Sequence, residues 1–305
     1  MRRSLQIVLG RPDWWAISLA AFLVRGGILL VVVPILALPS IAALSEVFAP
    51  LLSGVVLSDS PISTVALLAG AAVVLAVALW ITGIIGAWMD VALVPEMAQA
   101  LGAEVRFGRP SLRDALNARL TAHVVTVLAA GFAVVRIVAA GYDELTAPTI
   151  SASPLVVRVI TRAPEAVVVL ALAWAVAEAI GGLAFRRQVA DGPARSAGGS
   201  IIDGIRGFLR PGALATLFVT DLTVVMVGIA VWVATSGTWT FLGDRLADGS
   251  AAPALGLGLL GFLVAWAAGL LLLGAALAFR AAAWTAEWLR HVPSTEAAPA
   301  VMEPA

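Results

Sequence analysis

The sequence predicts an all-α polytopic membrane protein of six transmembrane helices, and three observations lead there. The chain is 61% hydrophobic and 12% charged, with a mean hydropathy of +1.01, whereas soluble domains run at roughly 45–50% apolar and about 25% charged. Six apolar runs are long enough to cross a hydrocarbon core about 30 Å thick, which takes roughly 20 helical residues. Two charged stretches, one ahead of the third run and one ahead of the fifth, share a pattern that suggests three hairpins.

In order, the runs are 14–38, 64–88, 121–140, 163–185, 211–236 and 253–279, and they form a single membrane domain over 1–291. MRRSLQIVLGRPDWW, which leads into the first, has the charge of a signal peptide. The apolar run behind it exceeds the roughly 7–15 residues of a signal core, so it is expected to be retained as a span ending at Pro39-Ser40. The second follows an acidic loop with Glu46 and Asp59, and the third stops near Gly141-Tyr142. The fourth follows the amphipathic PLVVRVITR and ends at Arg186-Arg187. The sixth ends at Arg280, and AAAWTAEWLRH behind it is expected to lie at the interface. Residues 292–305 have no periodicity and are expected to be a disordered tail.

The stretches ahead of the third and fifth runs align as Ser111/Ser200, Asp114/Asp203, Leu116/Ile205 and Leu120/Leu209. The fourth and sixth runs close with the same four residues, Leu183-Ala184-Phe185-Arg186 and Leu277-Ala278-Phe279-Arg280. A period near 90 makes each unit a lead-in helix and two spans, repeated in parallel rather than inverted as in many transporters. Ser111 and Ser200 are expected N-caps, with Asp114 and Asp203 as capping-box acids. Leu112, Leu116 and Leu120, like Ile201, Ile205 and Leu209, fall on one helical face. Arg113 and Arg206 lie off it, where they can reach phosphate headgroups. These are expected to be amphipathic interfacial helices; the sharper alternative is a cytoplasmic docking surface for a protein partner.

Arginine supplies all 19 basic residues. Fourteen fall on the side of the two termini, and Arg136, Arg158, Arg162 and Arg245 on the other. The positive-inside rule then places both termini and the two long loops in the cytoplasm, with Arg158 and Arg162 as the dissent. Trp14, Trp15, Trp88, Trp284 and Trp288 at the inner ends and Trp239 at an outer end fit interfacial anchoring.

Charges inside the bilayer are the candidates for function, because each costs about 2.5–3.5 kcal/mol at a helix centre on insertion scales. Arg25 lies in the first span, Glu178 in the fourth and Asp221 in the fifth. Pairing of Arg25 with Asp221 or Glu178 would remove most of that cost. Such a pair either locks helix packing or lines a solute or proton path. Asp90, His123, Arg136 and Glu165 lie near span ends and are expected to snorkel to the interface. Gly261, Ala265 and Gly269, and Ala171, Ala175 and Ala179, make small-residue stripes for close helix contact.

Several chemistries are excluded. Without cysteine there is no disulfide, thiolate or Cys-ligated metal, and two histidines leave little for a metal site. No HExxH, G-x-S-x-G or P-loop lysine occurs. Gly256, Gly258 and Gly261 match a dinucleotide pattern but lie inside an apolar span without a βαβ unit. Tyr142-Asp143 and Leu242-Gly243-Asp244 are only faintly like intramembrane aspartyl protease motifs, and both fall in outer loops. No enzyme activity, cofactor or nucleic-acid partner is expected.

Gly-Arg-Pro-Ser-Leu-Arg-Asp-Ala-Leu at 108–116, leading into a span of a six-helix chain, resembles a group of bacterial membrane proteins. Many are uncharacterised, and a related domain is fused to glycerophosphodiester phosphodiesterases. No phosphodiesterase domain is expected in this chain, so the resemblance implies no activity and carries over no catalytic residue. The expectation is a non-enzymatic scaffold or accessory subunit with the lipid bilayer and a protein as partners. The alternative is a permease for a small solute, using Arg25, Asp221 and Glu178.

Overall fold

The computed structural model describes residues 1–27, 81–103 except 83 and 87, 112–147, 158, 161–191, 196–248 and 252–291. Among these the protein is helical throughout, with no strand. The helices are α1 (Arg2–Leu9), α2 (Pro12–Phe22), α3 (88–100), α4 (Leu112–Ala122), α5 (Val124–Thr146), α6 (Pro164–Asp191), α7 (Ala197–Phe208), α8 (Pro211–Ala247) and α9 (Ala252–Leu289).

Four helical stretches are long and apolar enough to cross a membrane: Arg119–Glu144, Pro164–Ala190, Pro211–Arg245 and Pro253–Leu289. They correspond to the predicted third to sixth spans. Arg2–Leu9 and Pro12–Arg25 pass the same test only as a pair bent by 98°. The second half of the first predicted span, most of the second, Ser111 and the tail at 292–305 lie outside the described residues.

Proline starts three of the long helices, at Pro164, Pro211 and Pro253. Its missing N–H costs nothing in a first turn. At 37 and 38 residues, α8 and α9 outrun the predicted spans, each extending about 55 Å at 1.5 Å per residue. They form an antiparallel hairpin. Gly212 meets Glu287, Asp221 meets Arg280, Gly269 meets Val231, and Trp239 stacks tilted on Phe262 at 5.0 Å between centroids. The second hairpin pairs α5 with α6, through Thr126 and Ala173, and Arg136 and Glu165.

Burial is concentrated at one end of the bundle. There α9 packs on α1, α2 and α3 through Val8, Trp14, Leu93, Met97, Phe279 and Ala283. Its other side meets α6 and α8 through Ala179, Leu183, Ala213, Trp284 and Trp288. At the opposite end apolar side chains face outward, including Val127 and Leu128 on α5, Leu172 on α6, Met226 on α8 and Leu260 on α9. That is the surface a bilayer accepts, because lipid tails are as apolar as leucine.

Several local expectations are corrected. AAAWTAEWLRH is no separate interfacial helix; most of it continues α9, because nothing in Arg280-Ala-Ala-Ala breaks a helix. Trp14, Trp284 and Trp288 are buried in protein contacts rather than anchored at an interface. Ser200 is not the N-cap of α7: that position is Ser196, whose Oγ accepts from Gly199 N at 3.2 Å. Ser200 is fully buried and donates to Gln188 Oε1 at 2.7 Å, so its hydroxyl ties α7 to α6. Asp203, about two turns in, lies 3.9 Å from Arg187 and 4.0 Å from Arg206 instead of capping. Arg113 is exposed on α4. Of the small-residue stripes, Gly269 and Ala179 are buried, whereas Gly261 and Ala171 are exposed.

α7 is therefore docked, not merely floating at an interface. A Cβ on Gly204 would stand 2.7 Å from the Ile180 carbonyl oxygen and 3.2 Å from Ala184. Gly274 of α9 is held likewise, 2.8 Å from the Trp15 carbonyl oxygen of α2. The obstruction is backbone in both cases, which cannot rotate aside. Gly204→Ala is expected to cost about 1–3 kcal/mol by overpacking and to lower the thermal midpoint of the detergent-solubilised protein. Gly131→Ala, where nothing lies within 4 Å of the new carbon, should leave that midpoint unchanged or raise it, since helical Gly→Ala gains up to about 1 kcal/mol.

Candidate functional site

Where the buried end meets the outward-facing spans, charged side chains from six helical segments converge. α2 ends in a five-residue π-turn, Leu23–Gly27, which carries Arg25. Such single turns occur often at functional sites. Arg25 Nη2 donates to Asp90 Oδ2 of α3, running close over Gly86, where any Cβ would collide with its side chain. Arg119 of α4 donates through Nη1 to the same Asp90 oxygen and through Nη2 to Glu178 Oε2 of α6 at 2.7 Å. Glu178 also has His123 Nε2 at 3.3 Å and Arg280 Nη1 of α9 at 3.9 Å. Arg280 Nε donates to Asp221 Oδ1 of α8 at 2.5 Å. One continuous chain of charge results: Arg25, Asp90, Arg119, Glu178, Arg280, Asp221.

Arg186 of α6, with only 8% of its surface exposed, lies beside this chain and is held by neutral acceptors. Its Nε donates to Thr285 Oγ1 at 3.1 Å, Nη1 to Gly182 O at 2.9 Å and Nη2 to Ala281 O at 2.9 Å. Two aromatic faces add support, Phe185 under Arg119 and Trp174 under Arg280, each 5.9 Å from the guanidinium carbon. Arg186 and Arg280 are the last residues of the two Leu-Ala-Phe-Arg segments, and Arg186 donates to the carbonyl of Ala281, next to Arg280.

Depth explains why the charges must pair. Asp221 is ten residues into α8, about 15 Å along its axis. His123 immediately precedes the exposed run that begins at Val124. An unpaired ion at such a level loses several kcal/mol of hydration. Here every carboxylate has a guanidinium within ion-pair distance. Within this chain of charge two buried polar atoms stay unmatched among the described residues, Asp221 Oδ2 and Arg280 Nη2.

The three residues expected from sequence, Arg25, Glu178 and Asp221, fall in one network, but the expected pairings are not made. Arg25 reaches Asp90, and its links to Glu178 and Asp221 run through Arg119 and Arg280. Asp90 and His123 do not snorkel; α4 and α6 close over them and supply counter-charges. Arg136 and Glu165 do stay at the surface, paired at 2.5 Å. Arg119, Arg186 and Arg280 were missed because each borders an apolar run and counts as a loop charge. The available signal was spacing: Arg119 and His123 are four apart, hence on one face.

A second buried carboxylate, Glu144 at the end of α5, is clamped by Arg158 at 2.8 Å and Arg162 at 2.7 Å. The arginines that broke the positive-inside pattern therefore have a local partner. Among the described residues no group of three or more His, Cys, Asp or Glu could hold a metal ion.

No family model matches the chain, and no curated protein or solved structure matches it significantly.

Arg119 joins two carboxylates, so its loss strands both. Arg119→Ala is expected to destabilise the detergent-solubilised protein by about 3–5 kcal/mol, seen as a fall in monodisperse yield and thermal midpoint. Arg136→Ala, which breaks an exposed pair, should cost at most about 1 kcal/mol. Arg280→Leu combined with Asp221→Leu should cost less than the two single changes added together, the mark of coupled partners.

Proposed function

We propose that this chain is a non-enzymatic scaffold or accessory subunit of a bacterial cytoplasmic membrane, and that the charge chain locks its helical hairpins together. The observation that carries this is saturation: each carboxylate of the chain is engaged by arginine from another helix. A binding or translocating site needs groups that can exchange partners, and a lock in which every carboxylate is held by arginine resists exchange. Specification of one arrangement is a better-attested use of buried charge than stability.

Cytoplasmic termini remain the orientation that arginine supports. Setting aside Arg119, Arg186 and Arg280 leaves eleven on the inner side against four on the outer, and two of those four are bound to Glu144. Common descent of the hairpins from a duplicated unit is supported by the two Leu-Ala-Phe-Arg segments, whose arginines lie close together, Arg186 donating to the carbonyl of Ala281 next to Arg280.

One observation favours the permease alternative. Asp221 Oδ2 and Arg280 Nη2 are buried, adjacent in the chain of charge and unmatched, as a polar solute would require.

Proteoliposomes separate the two. The scaffold reading expects no uptake above empty liposomes for radiolabelled amino acids, sugars and glycerol, with or without a proton gradient. Uptake that disappears in a folded Asp221→Asn variant would overturn it in favour of transport.

A further inference from the structure

At the buried end of the bundle a half-open groove of about 280 Å³ separates α7 from the last turns of α6 and α9. Arg187, Arg206 and Arg210 line it, together with Trp288 and His291. Its two carboxylates are already engaged. Glu287 is held by Arg290 at 2.9 Å and faces His291 at 3.4 Å, and Asp203 lies between Arg187 and Arg206. Arg206 has 75% of its side chain exposed and touches Asp203 only at 4.0 Å. Arg210, also exposed, has no carboxylate partner among the described residues. Trp288 is buried, yet its indole Nε1–H has no acceptor among the described residues.

We propose that this groove binds the phosphate headgroup of an anionic membrane lipid. A guanidinium fork matches phosphate oxygens geometrically, and the two exposed forks of Arg206 and Arg210 supply donors that a phosphodiester accepts. Position selects a lipid as the source. Ile202, Ile205 and Leu209 are exposed on α7 beside Arg206, the composition of a helix lying at headgroup level. Beyond Arg210 the chain enters α8, where Leu214 and Phe218 are exposed, so acyl chains have an apolar surface next to the headgroup. The inner leaflet, where arginine count places this end, is the anionic side. The inference rests on the membrane placement alone and holds whether or not the chain transports a solute.

Native mass spectrometry of the detergent-solubilised full chain tests it, with phosphatidylglycerol and phosphatidylcholine titrated separately, and inorganic phosphate and glycerol 3-phosphate as soluble competitors. The wild type should retain phosphatidylglycerol in preference to phosphatidylcholine. Arg206→Ala with Arg210→Ala should weaken that retention on the order of tenfold or more. Both side chains are exposed, so the thermal midpoint should be unchanged. Arg136→Ala, on the exposed pair with Glu165, should bind as wild type. Equal retention of the two lipids, or undiminished phosphatidylglycerol binding in the double variant, would overturn the site. Displacement of phosphatidylglycerol by millimolar inorganic phosphate would assign the groove to a free anion and overturn the lipid assignment.

Discussion

Desolvation of charge is the constraint on which the rest of this structure depends. Three carboxylates and four guanidiniums lie where the packed end of the bundle gives way to apolar surface. Each alone would be expelled from such a place. Together they impose geometry: the turn after α2, and α3, α4, α8 and α9, must each bring one side chain to one region, and α6 two, at the correct height and rotation. Apolar contact between membrane helices is nearly indifferent to register, because sliding exchanges one aliphatic contact for another or for lipid. A chain of ion pairs is not indifferent, since a shift of one residue turns a charge about 100° away from its partner.

Small residues make that convergence sterically feasible. Gly86 leaves a channel for the Arg25 side chain, Gly204 brings α7 against the α6 backbone, and Gly274 does the same for α9 and α2. Close approach and charge pairing are two sides of one requirement, because Arg186 reaches the Ala281 carbonyl only when α6 and α9 are near. Arginine suits the role better than lysine would. Its fork spans two acceptors at once, as Arg119 does between Asp90 and Glu178, and it stacks on rings such as Phe185.

The two ends of the bundle differ accordingly. The apolar end is covered with outward-facing apolar side chains, a surface made for lipid. The packed end is layered with short helices, tryptophans and arginines, and carries the groove beside α7. Lock, docked helix and groove follow one another within about three turns of α6, from Glu178 through Gln188.

Much of this was legible in the sequence. Composition and run length identify an all-α membrane protein, and the third to sixth apolar runs fall on the four long apolar helices, because a bilayer forces each segment to satisfy its own backbone and tests each segment's apolarity separately. Arg25, Glu178 and Asp221 stood out for the same reason. Their partners did not. Asp90, Arg119 and Arg280 lie at the borders of apolar runs, where local sequence cannot distinguish a side chain reaching for water from one reaching for another helix. The capping role of Ser200 failed similarly: the helix already begins at Ala197, so Ser200 lies inside it and its hydroxyl donates to Gln188, twelve residues back and on another helix. Sequence alone determined which segments are long apolar helices and which charges are costly, since those depend on neighbours within a turn or two and on the solvent. Tertiary structure alone decided which charges meet, because pairing depends on the relative height and rotation of helices far apart in the chain.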